Sequence, residues 1–174
     1  MLFTGTYRRS LDEKQRLPIP KPLREELPAG SRLYLTPGMD GCLAAFPAAA
    51  FEAQARRLEV CSPGSRDVRD YSRVFYSQAV CVVPDSQWRI RVPADLVRRV
   101  HLEGEVAVVG VRDHLEIWSA ATWDAYIARC EGQYEHLAEL AWDAAGPREL
   151  GSSPAGVLQG NLHGGDANAP PLPR

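Results

Sequence analysis

The chain has 174 residues, 45% of them hydrophobic and 24% charged, with a formal net charge of −2 at pH 7. This is ordinary globular composition, which excludes a fibrous or wholly disordered chain and leaves room for one substantial core or two small ones. The opening MLFTGTYRRSLDEK lacks the continuous apolar run of a secretory signal and no stretch approaches the roughly 18 apolar residues that span a bilayer, so a cytoplasmic location is expected.

In chain order, TYRRSL (6–11) reads as a short strand, DEKQ (12–15) as a turn and RLPI (16–19) as a second strand, together a hairpin. A proline at the first helical position opens a short helix in PKPLREEL (20–27), and Pro28-Ala29-Gly30 turns the chain into strands SRLYLT (31–36) and CLAAF (42–46). A longer helix, PAAAFEAQARRL, follows from Pro47. In SRDVRDYSRVFY (65–76), Val68, Tyr71 and Phe75 share one helical stripe, which predicts a packed helix rather than a loose linker. The same order then returns. QAVCVV (78–83) and RIRV (89–92) flank the turn DSQW, PADLVRRV is a short helix, and EVAVVGV (105–111) and HLEIW (114–118) are strands. SAATWDAYIARC closes the copy as a helix, with Ser119 as N-cap and Asp124 near its first turn.

The return is residue by residue. An offset of 73 pairs Asp12 with Asp85, Arg16 with Arg89, Leu17 with Ile90, Ile19 with Val92, Pro20 with Pro93 and Leu23 with Leu96. After small loop differences an offset of 72 pairs Leu43 with Leu115, Phe46 with Trp118, Phe51 with Trp123 and Glu52 with Asp124. A match sustained over about 45 residues marks a duplicated unit. A unit of that size cannot close a stable core alone, so the copies are expected to pack on each other, a hairpin from each completing the other. The expected fold is mainly β with short helices (α+β): tandem ββαββ repeats in a pseudo-symmetric swapped-hairpin β-barrel. Residues 1–52 form the first repeat, 53–78 a helical connection, 79–125 the second repeat and 126–146 a C-terminal helix. Residues 147–174 are expected to be a disordered tail, because 151–174 hold five glycines and four prolines without apolar periodicity.

Charge is unevenly distributed: residues 1–100 carry a balance of +5 and residues 101–174 one of −7. The basic excess therefore lies with the repeated turns, where YRRSLDEKQRLPIPKPLR sets six cations against two acids. A solvated mixed-charge surface is the competing reading. An arginine at a projecting turn offers a five-donor fork to phosphate or a guanine edge, and the aspartate four residues earlier can orient it or cap the turn. The alternative for Arg16 is a surface ion pair worth about 0–1 kcal/mol, and its recurrence at Arg89 argues against that. Lys14, Arg8 and Arg9 are further candidates, balanced between DNA contact and plain solubility.

Other notable residues read as structural. Phe46, Phe51, Trp118 and Trp123 occupy equivalent places and are expected to be core or helix-docking residues. His101 and His114 lack a nucleophile or carboxylate at a catalytic spacing, and no glycine-rich phosphate loop is present. The four cysteines, Cys42, Cys61, Cys81 and Cys130, include no CxxC pair, so structural zinc has little support and they are expected to be reduced, partly buried thiols. No enzyme activity, cofactor, metal or small-molecule substrate is expected.

M-x-F-x-G at the start, LDEKQRLPIP, and DSQWRIRVPADL followed by VVGVRDHLEIWSAATW resemble the MraZ family of bacterial transcriptional regulators, built from two SpoVT-AbrB-type repeats. The resemblance covers about residues 1–142. It implies the swapped-hairpin barrel, a ring-like homo-oligomer, and binding to double-stranded DNA at short promoter-proximal direct repeats upstream of the division and cell-wall gene cluster. A cytoplasmic, nucleoid-associated repressor is the reading that follows. Arg16 and Lys14 with Asp12 match the family's first D-x-K-G-R signature, and Asp85 and Arg89 match the second. The family usually has glycine before this arginine, whereas here Gln15 and Trp88 stand there. If that position is left-handed, each costs roughly 1 kcal/mol. Trp88 is either a packed aromatic or an exposed ring touching DNA or a neighbouring subunit, packing being the simpler reading. A second functional reading is an AbrB-like protein-interaction module such as an antitoxin. Tips that face one way and form one basic surface would favour DNA, whereas an antitoxin would put a partner-binding segment in its acidic C-terminal part.

Overall fold

A computed structural model describes residues 1–59, 61 and 64–144. The chain divides into two compact units, one spanning Met1–Gln133 and one beginning at Tyr134. In the first, the strands and helices are β1 (Thr6–Ser10), β2 (Arg16–Pro18), α1 (Lys21–Glu25), β3 (Leu33–Pro37), β4 (Leu43–Pro47), α2 (Ala48–Glu59), α3 (Arg66–Ser77), β5 (Val80–Val82), β6 (Arg89–Arg91), α4 (Ala94–Arg99), β7 (Glu105–Val111), β8 (His114–Ser119) and α5 (Ala120–Glu131). The second contains α6 (Tyr134–Ala144), and the tail expected at 147–174 lies outside the described residues.

The pairing follows the duplication. A six-stranded antiparallel sheet has the order β1-β7-β8-β4-β3-β5, and β2 pairs with β6 in a separate two-stranded ribbon. Each repeat's first strand thus completes the other repeat's sheet. The register is symmetric as well. Tyr7, Arg8 and Arg9 face Val108, Ala107 and Val106, while their equivalents Val80, Cys81 and Val82 face Leu35, Tyr34 and Leu33. The expected mainly β tandem-repeat architecture is therefore present, with β1 and β5 as sheet edges rather than a continuous closed ring of paired strands.

One local expectation is corrected. The strands flanking each D-x-x-x-R turn do not form a ladder with each other beyond the tip; β1 goes to β7 and β2 to β6. The Arg16 and Arg89 N–H groups, which would begin such a ladder, are donated to the Asp12 and Asp85 carboxylates. Pro18, next in line on the same strand edge, has no N–H to give.

The period-two alternation of the strands separates two apolar layers. On one face Leu33, Leu35, Leu43, Ala45, Val106, Val108, Leu115 and Ile117 join Leu17, Ile19, Ile90 and Val92 of the ribbon and Leu23 and Leu96 of α1 and α4 in one buried cluster. Fully burying each such Leu or Ile is worth about 1.5–3 kcal/mol, and this anchors the ribbon's inner face. On the other face Trp118 packs against Trp123 and Tyr126 of α5, while Phe46 and Tyr34 meet Phe51 of α2 and Phe51 stacks on Phe75 of α3 at 5.6 Å. The four equivalent aromatics are structural, and α3 docks mainly through buried Phe75, since Tyr71 remains 43% exposed. Ser119 caps α5 as expected, its Oγ accepting from Thr122 N at 3.2 Å.

The opening M-x-F-x-G also has a packing reason. Phe3 is fully buried and bridges Arg112, and Gly110 donates to the Gly5 carbonyl at 2.9 Å. A Cβ on Gly110 would lie 2.4 Å from Thr4 N, so only glycine lets the first residues lie against β7. The cysteines are free thiols, but only Cys42 is buried; Cys61 and Cys81 are exposed, contrary to the partly buried reading.

Candidate nucleic-acid interface

Both ends of the ribbon are built by the same turn. In the first, Asp12 Oδ1 accepts from the N–H groups of Lys14 and Arg16, each at 2.9 Å, and Oδ2 accepts from Arg16 Nε at 2.7 Å. The backbone closes around it: Gln15 donates to the Asp12 carbonyl at 2.8 Å and Asp12 to the Arg16 carbonyl at 3.1 Å. In the second, Asp85 Oδ1 accepts from Gln87 and Arg89 N–H at 2.9 Å, and Oδ2 accepts from Arg89 Nε at 2.9 Å and Nη2 at 2.7 Å. An aspartate holding two N–H groups and a guanidinium rigidifies a four-residue tip without large apolar burial.

These donors set the carboxylate chemistry. The Arg16 N–H, assisted by the Arg16 guanidinium and the Lys14 N–H, holds Asp12 below its ordinary range despite some desolvation. For Asp85 the Arg89 guanidinium is the leading cause, followed by its N–H, and the direction is the same. The arginines are half-buried, with side-chain exposures of 33% for Arg16 and 27% for Arg89, so they are clamped rather than freely projecting.

Gln15 and Trp88 have φ of 57° and 58°, which places both in the left-handed region where glycine is favoured. The turn therefore keeps its shape and bears the strain. Ladder bonds flank each strained residue, since Val92 donates to the Gln15 carbonyl at 2.9 Å and Ile19 to the Trp88 carbonyl at 2.8 Å. Trp88 also packs against the buried cluster, as the simpler reading expected.

The ribbon's two faces are chemically opposite. Leu17 and Ile90 face each other, both 1% exposed, on the inner side. Directly opposed residues of an antiparallel pair share a face, so the outer face presents Arg16 across from Arg91 and Pro18 across from Arg89. Arg91 is exposed, and it is absent from the candidates read from sequence. The signal for it was the alternation in RIRV, which sets Arg89 and Arg91 on one side of a strand.

The structure therefore brings Arg16, Arg89 and their aspartates to one ribbon, with exposed Lys14 at the first tip. Arg9 lies three residues before Asp12 on β1, opposite buried Val106, and donates from Nη1 to the Arg8 carbonyl at 2.6 Å. Arg8 is not brought to this ribbon. Alternation turns it to the other face of the sheet, opposite Ala107, where its Nη2 pairs with Asp124 of α5 and its Nη1 donates to the Ala120 carbonyl at 3.4 Å.

Away from the ribbon, His114 is 18% exposed, pairs through Nδ1 with Asp113 at 2.8 Å and lies 3.6 Å through Nε2 from Glu116, and stacks on Phe46 at 4.7 Å. Burial pushes the imidazole down, but the two carboxylates outweigh it and hold His114 above its ordinary value. Burial likewise pushes Glu116 up, but hydrogen bonds from His114 and Trp118 bring it below. This is a helix-side packing network. Among the described residues no helix is long and apolar enough to cross a membrane, and no group of three or more His, Cys, Asp or Glu is placed to hold a metal ion.

Comparison with known proteins agrees with the twofold organisation. The model of the family described as "MraZ protein, putative antitoxin-like" matches twice, over residues 2–70 and 75–143. The chain belongs to the MraZ family. Proteins described as "Transcriptional regulator MraZ" are similar to it. That of Micrococcus luteus is 41% identical over 138 residues, covering 79% of this chain and 95% of the relative. That of Thermobifida fusca is 40% identical over 138 residues with the same coverage, and that of Frankia casuarinae is 41% identical over 140 residues, covering 80% and 94%. The MraZ match includes both D-x-x-x-R turns and every strand and helix from β1 to α5 apart from residues 71–74 within α3.

Proposed function

We propose that this MraZ protein is a non-enzymatic, cytoplasmic, nucleoid-associated transcriptional regulator, a repressor of the division and cell-wall gene cluster. It binds promoter-proximal direct repeats in double-stranded DNA as a ring-like homo-oligomer. The observation that carries the reading is the ribbon itself: two aspartate-clamped arginine turns at its two ends, with Arg16 and Arg89 on the face opposite the core. A two-stranded ribbon fits the major groove, about 12 Å wide. Asp12 takes Nε of Arg16, and Asp85 takes Nε and Nη2 of Arg89; the guanidinium N–H groups that remain are left for phosphate or guanine, so each arginine is oriented before DNA arrives. Lys14 adds a cation at the first tip. Two turns sharing one cationic ribbon favour DNA over the protein-interaction alternative.

One protomer offers only a few phosphate contacts, which at physiological salt corresponds to a Kd of about 10⁻⁴–10⁻⁶ M. A ring makes later contacts intramolecular and raises avidity by about 10²–10⁴ when the DNA repeats match the subunit spacing. Exposed apolar side chains such as Ile127 on α5 are candidates for the contacts between copies. The test combines light scattering with titration of one-repeat and multi-repeat duplexes drawn from upstream of the protein's own gene. The expected result is an oligomer that prefers the multi-repeat duplex by at least tenfold per site. A monomer with equal affinity per site for both duplexes would contradict it.

A further inference from the structure

The duplication makes each ribbon position comparable with its equivalent, and the two ends are not equally charged. Arg16 and Arg89 are equivalent, but Arg91 corresponds to Pro18, Lys14 to Gln87 and Arg9 to Val82. In the antiparallel register Arg91 lies opposite Arg16, and Val92 donates to the Gln15 carbonyl, so Arg91 belongs to the first-turn end. That end carries Lys14, Arg16 and Arg91 against Asp12 and Glu13, whereas the other carries Arg89 against Asp85. The bias continues beyond the strands. Helix α4 leaves from the Arg91 end with Arg98 and Arg99 against Asp95, whereas α1 at the other end sets Lys21 and Arg24 against Glu25 and Glu26, a difference of one positive charge.

Arg91 also differs from its neighbours in how it is held. Arg16 and Arg89 are tied to aspartates, while Arg91 is exposed and has no hydrogen bond or ion pair among the described residues. Like charges directly opposite on neighbouring strands destabilise a sheet, so Arg16 facing Arg91 weakens the free protein. The pair is relieved when an anion lies between the two guanidinium groups.

We propose that Arg91 is an additional DNA-phosphate contact that shares a phosphate region with Arg16, making the first-turn end of the ribbon the more strongly held end. Resting on the DNA-binding reading above, this gives a pseudo-symmetric ribbon an unequal grip, so that DNA repeats with a direction are bound with a direction. Arg91 acts as a cation on the backbone and does not discriminate among bases.

The experiment is a salt series of fluorescence anisotropy titrations with the full chain and a multi-repeat duplex, together with melting of the free protein. Arg91→Ala should make the slope of log K against log salt shallower by about one per engaged protomer, without changing the affinity ratio between specific and scrambled duplex. It should also leave the melting temperature of the free protein unchanged or higher. Pro18→Arg, which puts the missing cation at the other end, should steepen the slope by about one per engaged protomer, and Arg57→Ala on α2 should do nothing. An Arg91→Ala slope equal to wild type, while Arg16→Ala or Arg89→Ala still weakens binding, would overturn the Arg91 assignment and leave the DNA reading standing. A fall in melting temperature with an unchanged slope would make Arg91 a structural residue and also overturn it. Wild type that binds no duplex would overturn both.

Discussion

Gln15 and Trp88 hold the same strained backbone by different means, so replacing each with glycine should move stability in opposite directions. Their φ values are 57° and 58°, and an L side chain in that region costs about 1–2 kcal/mol. Glycine removes that cost but returns roughly 0.5–1 kcal/mol through the freedom of the unfolded chain. The Gln15 side chain makes no hydrogen bond among the described residues. Gln15→Gly should therefore stabilise by about 0.5–1 kcal/mol, a rise of roughly 1–4 °C for a domain of this size. Trp88 is half-buried against the ribbon core. Removing a fully buried tryptophan costs about 3–5 kcal/mol, so half of that, roughly 2, outweighs a strain relief of up to about 1. Trp88→Gly should destabilise by about 1 kcal/mol or more and lower the melting temperature by at least about 2 °C. Thermal and urea unfolding at matched protein concentration read both, since assembly makes the melting temperature depend on concentration. If Gln15→Gly lowered stability as much as Trp88→Gly, the strain argument for these turns would be wrong.

Acid should loosen the turns. Asp12 and Asp85 have depressed pKa values when folded, so their stabilisation is present above the ordinary carboxylate value and is lost as pH falls through the folded value; a Asp12→Asn/Asp85→Asn variant should lose this acid-dependent part in pH-dependent melting. His114 has the opposite sign: its raised folded value gives stability that is full below its unfolded value near 6.5 and is lost as pH rises through the folded one, and His114→Gln should flatten that part of the profile. Leu17→Ala should cost about 2–5 kcal/mol by opening a cavity under the ribbon, read by urea unfolding.

Local pattern carried much of this structure. The alternation in RLYLT and VAVVG placed Leu33, Leu35, Val106 and Val108 on one face, and the recurrence of Asp12 and Arg16 at Asp85 and Arg89 located both turns. Partners distant in sequence were less legible. Alternation in TYRRSL separates Arg8 from Arg9, but only the β1–β7 register and the docking of α5 show which face is covered. RIRV likewise sets Arg91 beside Arg89, yet its position across from Arg16 depends on two strands more than 70 residues apart in sequence. At Gln15 and Trp88 the sequence left open whether the turn is left-handed, because side-chain preference is local. The aspartate clamps and flanking ladder bonds impose that backbone from outside. The hairpin reading failed for a related reason, since the donors it required are spent on Asp12 and Asp85.

The central claim is that DNA lies on the ribbon's outer face. Arginine modification by phenylglyoxal, with and without a multi-repeat duplex and quantified residue by residue by mass spectrometry, tests it most directly. DNA should protect Arg16, Arg89 and Arg91 while leaving Arg8, tied to Asp124 on the opposite sheet face, and Arg129 on α5 as reactive as before. Protection of Arg8 and Arg129, with Arg16, Arg89 and Arg91 unchanged, would contradict the account.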